Sequence, residues 1–268
     1  MMSRTFAPAK INLCLHVTGQ RADGYHLLDS LVAFADVGDR VRVMPADKTS
    51  LKVTGPMAEG VPDDAGNLVM KAAALFGLPV AIELEKHLPM AAGLGGGSSD
   101  AAATLFALAD LTGQTTLPEG ATELGADVRV CLQRQASRMR GIGDDVAPLP
   151  EMPELHAVLA NPGIEVATPE VFAALENKAN EPLPRRIPRW RGSWSAIDWI
   201  ARQRNDLEAP ALSIAPVIGD VLAALAALPG ARFSRMSGSG ATCFALFEER
   251  AEAEAAAETL AEAQPDWW

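Results

Sequence analysis

Four glycines, Gly93, Gly95, Gly96 and Gly97, stand between Pro89 and the serine pair Ser98-Ser99. Without side chains to block the approach, the backbone N–H groups of such a run can converge on one small anion. Upstream, Val80-Ala-Ile-Glu-Leu84 alternates apolar and polar residues, the pattern of a half-buried strand. Downstream, Ala101, Leu105, Leu108 and Leu111 recur at helical spacing. The stretch therefore predicts strand, glycine loop and helix, with Ser98 or Ser99 as the helix N-cap. Donors at the positive end of a helix dipole suit a phosphate. The hydroxyls of Ser98 and Ser99 could add a ligand for a phosphate oxygen or a phosphate-bound Mg²⁺. Two better-known glycine loops are excluded. No Gly-Lys dipeptide occurs for a nucleotide P-loop, and the third glycine of G-x-G-x-x-G falls on Ser98 or Asp100.

A second set of residues could recognise a flat ligand. Thr18-Gly-Gln-Arg-Ala-Asp-Gly-Tyr-His26 is a polar loop that ends in the chain's single tyrosine, Tyr25, followed by His26. An aromatic ring beside a hydrogen-bonding imidazole suits a nucleobase, which needs a stacking face and edge partners. On the residues alone, a packed tyrosine beside a surface histidine fits as well. Lys10 at the start of an apolar run and Asp127 after Gly125-Ala126 read equally as a solvated lysine and a turn residue.

Positioning these residues falls to the surrounding elements. Ile11, Leu13, Leu15 and Val17 share one strand face. Leu27 to Phe34 and Arg40 to Met44 predict two strands about a turn at Asp36-Val-Gly-Asp39, and Leu51 to Thr54 a short third. Gly55 to Gly66 is a loop, and Asn67 caps a helix carrying Leu68, Ala72, Leu75 and Phe76. Val128, Val130 and Leu132 alternate like a strand that Asp127 would open. Pro148-Leu-Pro-Glu-Met-Pro153 is the best linker, followed by a strand at His156 to Ala160 and a short helix capped by Thr168. Helices are predicted at Ser195 to Gln203, Pro216 to Leu228 and Glu252 to Ala263. Between the last two, Arg232 to Phe247 forms strand, glycine bend and strand. The proline- and arginine-rich stretch from Asn177 to Trp194 reads as a solvated mobile loop.

The 268 residues carry a net charge of −11, which argues against nucleic acid and anionic membrane as partners. Cys14, Cys131 and Cys243 form no C-x-x-C pair and read as buried thiols. The four histidines show no metal-ligand spacing. No apolar run is long enough for a membrane span and no signal segment is present, so a cytoplasmic protein is expected.

Pro89-x-x-x-Gly-Leu-Gly-Gly-Gly-Ser-Ser-Asp-Ala-Ala resembles the phosphate loop of the GHMP kinase superfamily. The triple glycine before Ser-Ser is similar to that of its members acting on a cytidine-diphosphate-linked methylerythritol in non-mevalonate isoprenoid synthesis. Ala-Lys-Ile-Asn-Leu, Arg-Ala-Asp-Gly-Tyr-His, Gly-Ala-Asp-Val and Ser237-Gly-Ser-Gly240 resemble further motifs of that family, so the likeness spans nearly the whole chain. It implies an α+β, two-domain fold. An N-terminal ATP-binding domain would take residues 1–150 and a C-terminal α/β substrate domain residues 151–268.

The same resemblance implies that Pro89, Gly93, Leu94, Gly95, Gly96, Gly97, Ser98 and Ser99 hold ATP, with Asn67 near the adenine and Ser99 as a Mg²⁺ ligand. It makes Asp127 the catalytic base and places Lys10 beside the transferred phosphate. Asn12, Tyr25, His26, Thr168, Phe172, Ser237 and Gly238 would bind an acceptor with a cytidine diphosphate moiety, Phe172 supplying a second aromatic of a base clamp. The expected activity is ATP- and Mg²⁺-dependent phosphorylation of a hydroxyl on that small molecule, by a monomer or weak homodimer. Rival expectations are a homoserine or mevalonate type of kinase and a non-catalytic nucleotide sensor. Two departures from the family pattern stand out: Arg129 replaces a usual proline, and the helix before Asp127 is about one turn short.

Overall fold

In the computed structural model, residues 2–149 and 151–268 are described; Pro150 of the expected linker lies outside them. In chain order the elements are β1 (Ser3–Gln20), β2 (His26–Pro45), β3 (Ser50–Thr54), α1 (Leu68–Ala74), β4 (Val80–Glu85) and α2 (Gly96–Thr112). There follow α3 (Val128–Gln133), β5 (Ser137–Gly141), β6 (Asp145–Pro148), β7 (His156–Ala160), α4 (Thr168–Ala173), α5 (Ser193–Ala201) and α6 (Glu208–Ile214). The last elements are α7 (Val217–Ala226), β8 (Phe233–Met236), β9 (Cys243–Phe247) and α8 (Arg250–Ala263). Helices and sheets are mixed, as an α+β fold requires.

The chain forms two compact units, and neither is one continuous stretch. The first comprises Met1–Lys10, Phe34–Met90 and Gly95–Gln135; the second comprises Ile11–Ala33, Ala91–Leu94 and Ala136–Trp268. The strands β1 and β2, which pair with each other, contribute residues to both.

In the first unit, β4 lies between β2 and β3, antiparallel to β2 from Arg40↔Glu85 to Pro45↔Val80 and parallel to β3. The inward residues Val41, Val43, Val80, Ile82 and Leu84 pack on Ala103, Ala107 and Leu108 of α2 and on Val69 and Ala73 of α1. Small residues on that face of α2 let helix and sheet approach closely. Asn67 caps α1 as its spacing predicts, its Oδ1 accepting from Val69 N at 2.9 Å.

In the second unit, β5 pairs antiparallel with the start of β2 and with β6. A separate three-stranded sheet runs β7-β9-β8. Val158, Ala160, Cys243, Ala245 and Phe247 of that sheet share a core with Ile218, Val221 and Leu225 of α7 and with Ala253, Ala256 and Leu260 of α8. All three cysteines are buried thiols. Burial pushes the thiols of Cys14 and Cys131 up to about 12.

The structure corrects four local expectations. The Asp36–Asp39 stretch is not a turn, because β2 runs through it unbroken. Gly38 is there for close packing, since a Cβ on it would strike the Ala7 carbonyl. Val128–Leu132 is helical, not extended, and Asp127 is the N-cap of α3. Arg129 is thus the second residue of a helix, a place that also accepts proline, and its guanidinium reaches Thr122 Oγ1 at 3.4 Å. The short segment before it is a single 3₁₀ turn, Ala121–Glu123. Finally, α2 starts at Gly96 with Gly95 as its cap, so Ser98 and Ser99 lie within the first turn. Thr168 likewise is the first residue of α4, after an Ala167 cap.

Candidate active site

The first unit holds the glycine turn and the Lys10–Asp127 pair. Gly95 adopts a left-handed conformation, φ 62° and ψ 23°, which turns the chain sharply into α2. The first helical N–H groups, which have no partner within a helix, then belong to Gly96, Gly97 and Ser98. A Cβ at Gly95 would lie 3.2 Å from Lys10 Cε and 3.5 Å from Asp127 Oδ2. The missing side chain therefore lets that pair lie against the turn. Lys10 Nζ donates to Asp127 Oδ2 at 2.8 Å; the lysine side chain is 6% exposed and the carboxylate 28%. A buried ammonium holding a partly open carboxylate beside free amide donors is suited to phosphate chemistry: positive charge, an anion nest and a proton acceptor lie together.

Of the serines, Ser99 is buried and its Oγ donates to the Pro8 carbonyl at 2.8 Å, so that hydroxyl proton is engaged. Ser98 is half-buried. The donor set therefore fits a nucleotide phosphate through backbone amides and Ser98 more directly than through Ser99. Asn67 uses both ends of its amide locally, accepting from Val69 and donating to Pro62 O at 2.6 Å.

Beneath the turn lies a cluster that the sequence reading missed. Lys86 Nζ donates to Asp39 and to Asp100 Oδ2, the latter at 2.8 Å, and all three residues are buried. A Cβ on Gly96 would lie 3.5 Å from Lys86 Nζ. Asp39 Oδ1 also accepts from Leu88 N at 2.9 Å, tying β2 to the chain that leads from β4 into the glycine turn. Burial alone would lower the Lys86 pKa, but Asp100 and Asp39 together hold it above its ordinary value. One ammonium cannot neutralise two carboxylates, and burial raises Asp100 from 3.8 to about 7. Its Oδ1 is buried without a hydrogen-bond partner. The signal available in the sequence was Asp100 itself, a charge on the buried face of an alanine-rich helix, which requires a partner.

The second unit holds the remaining candidates. Gly93 adopts φ 74°, and a Cβ there would strike the Ser237 carbonyl. Ser237 Oγ donates to Gly93 O at 2.9 Å and accepts from Asn12 N at 3.0 Å. Asn205 Nδ2 donates to both Met236 O and Gly238 O at 2.8 Å, fixing the bend between β8 and β9. Asn12 is 1% exposed, and its Oδ1 has no partner. An unsatisfied buried acceptor costs about 1–3 kcal/mol. Thr168 Oγ1 and Ser239 Oγ are hydrogen-bonded at 2.8 Å.

His26 stacks on Phe172 with ring centroids 4.7 Å apart and planes 21° from parallel. Burial, then the charge of Lys178, lowers the His26 pKa, which keeps the imidazole neutral; its buried Nε2 is unpartnered. Tyr25 is 62% exposed, an open aromatic face beside that ring in sequence. Leu94 and Pro89, on either side of the turn into the glycine run, are both buried. Among the described residues no cluster of three or more His, Cys, Asp or Glu side chains is arranged to hold a metal. Nor, among the described residues, is any helix long and apolar enough to cross a membrane.

A left-handed glycine turn into a helix with a lysine–aspartate pair against it suits phosphate handling, and family comparison gives the class its name. Residues 67–149 match the GHMP kinases N terminal domain and residues 191–266 the GHMP kinases C terminal domain. The chain belongs to the GHMP kinase family, whose members are ATP-dependent kinases. Among its relatives is the 4-diphosphocytidyl-2-C-methyl-D-erythritol kinase of Cereibacter sphaeroides, 57% identical over 100% of this chain and 97% of the other. A crystal structure of 4-(cytidine 5'-diphospho)-2C-methyl-D-erythritol kinase superposes with a TM-score of 0.80, at 37% identity over 99% of this chain and 97% of the other. Homoserine kinase from Cytophaga hutchinsonii shares the fold, with a TM-score of 0.67 at 21% identity over 97% of this chain and 90% of its own.

Proposed function

We propose that the chain transfers the γ-phosphoryl group of ATP to the 2-hydroxyl of 4-diphosphocytidyl-2-C-methyl-D-erythritol, in non-mevalonate isoprenoid synthesis. Full-length similarity to kinases of that name, at 57% identity, carries the substrate assignment. The Lys10–Asp127 contact beside the glycine turn supports the chemistry.

Phosphoryl transfer needs in-line placement, neutralisation of phosphate charge and removal of the hydroxyl proton. The amides of Gly95, Gly96 and Gly97, with Ser98, cradle the phosphates. Asp127 takes the proton from the attacking hydroxyl, help typically worth ~10²–10⁴ in rate. Lys10 orients that carboxylate and offsets charge on the moving phosphoryl. Bound with the nucleotide, Mg²⁺ would add charge neutralisation, and Ser98 or Ser99 would be its protein ligand. Asn67 lies on the adenine side.

On the acceptor side, Tyr25 offers a stacking face for the cytosine and His26 Nε2 an edge partner. Phe172 supplies the second aromatic of the base clamp and also holds the His26 ring in place. Asn12, Ser237, Gly238 and Thr168 hold the polyol end. The enzyme works in the cytoplasm as a monomer or weak homodimer.

A coupled ADP-release assay over three acceptors tests the assignment. Turnover of the cytidine-diphosphate-linked methylerythritol, with little or none of homoserine or mevalonate, is expected. Turnover of homoserine or mevalonate instead would leave a GHMP kinase with another substrate.

A further inference from the structure

The two ends of the Asn12 amide have opposite fates. Nδ2 donates to Ser30 Oγ at 2.8 Å, whereas Oδ1 is buried with no partner. Ser30 explains the difference. Its own hydroxyl donates to the Cys14 carbonyl at 2.6 Å, and a carbonyl can only accept. The single proton of Ser30 is therefore committed, and only a lone pair faces Asn12. That lone pair matches the amide NH₂ and repels the amide oxygen. A flipped Asn12 would set two acceptors against each other in a site where both residues are almost fully buried.

The backbone of Asn12 is pinned as well, through its N–H to Ser237 Oγ. Space at Oδ1 depends on Gly238, where a Cβ would stand 3.3 Å from that oxygen. The result is a buried acceptor of fixed direction, left unsatisfied by the protein.

We propose that Ser30 is a positioning residue of the acceptor site, which locks the Asn12 amide so that Oδ1 always faces a hydroxyl donor of the alcohol substrate. The inference rests on the proposed role of Asn12 in holding the acceptor. It adds a specificity rule: the group opposite Oδ1 must carry a proton, so an alcohol is taken and an ether or carboxylate oxygen at that place is refused.

A double-mutant cycle on the full chain tests this, with initial rates measured against both substrates. Ser30→Ala should lower kcat/KM for the acceptor about three- to tenfold, the effect of one lost hydrogen bond, and leave the KM for ATP within about twofold. Ser30→Thr, which keeps the hydroxyl, should restore most of the loss, and Ser30→Cys, a weak donor of similar size, should not. In an Asn12→Ala background, Ser30→Ala should have no further effect, because it acts through the amide. Full acceptor kcat/KM in either folded variant lacking the hydroxyl, Ser30→Ala or Ser30→Cys, would overturn the proposal. Losses that simply multiply in the double variant would do the same. If Asn12→Ala alone leaves acceptor kinetics untouched, the underlying assignment of Asn12 fails first, and the role of Ser30 falls with it.

Discussion

The proposed phosphate end of the first unit and the proposed acceptor end of the second are built from different materials. Around Gly95 and Gly96 the structure spends charge: the Lys10–Asp127 pair, and below the turn a buried lysine shared by two aspartates. Around Asn12 the polar contacts are neutral, running from the Cys14 carbonyl through Ser30, Asn12 and Ser237 to the Gly93 carbonyl. Charge suits a ligand that is itself highly charged and needs little angular selection. A chain of hydroxyl and amide bonds suits the choice of one hydroxyl among several, because each donor and acceptor has a fixed direction. Rate should therefore depend on the first region and discrimination on the second.

The sharpest break in that division would come at Asp127. Asp127→Asn should cut turnover by at least about a hundredfold while ATP still binds, and Lys10→Met should do similarly. Rapid-quench single-turnover measurement would check it, and near-normal turnover in either would remove that residue from the chemistry.

The buried cluster comes next. Lys86→Met strands two carboxylates and should destabilise the protein by about 3–5 kcal/mol, read from denaturant unfolding. Asp100→Asn isolates its pH dependence. Burial raises Asp100 to about 7 from 3.8, so the folded state binds its proton more tightly than the unfolded state does. The stabilising preference for the protonated form is complete below 3.8 and is lost as pH rises to about 7. The Asn variant should therefore gain stability relative to the parent across that window and stay level above it. A constant difference from acid to neutral pH would mean that Asp100 does not titrate there.

The smallest expected effect lies on the acceptor side. Tyr25→Ala removes a stacking face worth ~1–3 kcal/mol and should raise the acceptor KM roughly five- to 150-fold, with that for ATP nearly unchanged. His26→Ala should instead erode the preference for cytosine over uracil. A Tyr25 variant with equal losses for both substrates would blur the separation between the two regions.

Much of this was legible in the sequence, for local reasons. The glycine run, the alternation in β4 and the Asn67 cap are short-range patterns, and each holds in the structure. The errors arose where tertiary contact decided. Gly38 between two aspartates looks like a turn, yet the glycine admits the Ala7 backbone and Asp39 is kept for Lys86. Val128, Val130 and Leu132 alternate, but Val128, Cys131 and Leu132 fit a helical face equally well over six residues. The helix α6, with Pro210 inside it, and the β5–β6 hairpin left no signal that was read. Ser30, Asp39 and Lys86 could not be found by spacing, because their partners lie 14 to 49 residues away.

The hydrogen bonds of Ser237 also set an order of events during synthesis. Ser237 meets Asn12 across 225 residues and Gly93 across 144, whereas the first unit is complete by Gln135. Closing loops of that length carries an entropic cost that local contacts cannot repay early. On the ribosome, the phosphate-handling unit can thus reach its native arrangement while about half the chain is still unmade. The frame that holds Asn12 must wait for β8 and the bend after it. Under the proposed role of Asn12, the frame for acceptor choice is complete only once Ser237 has been synthesised.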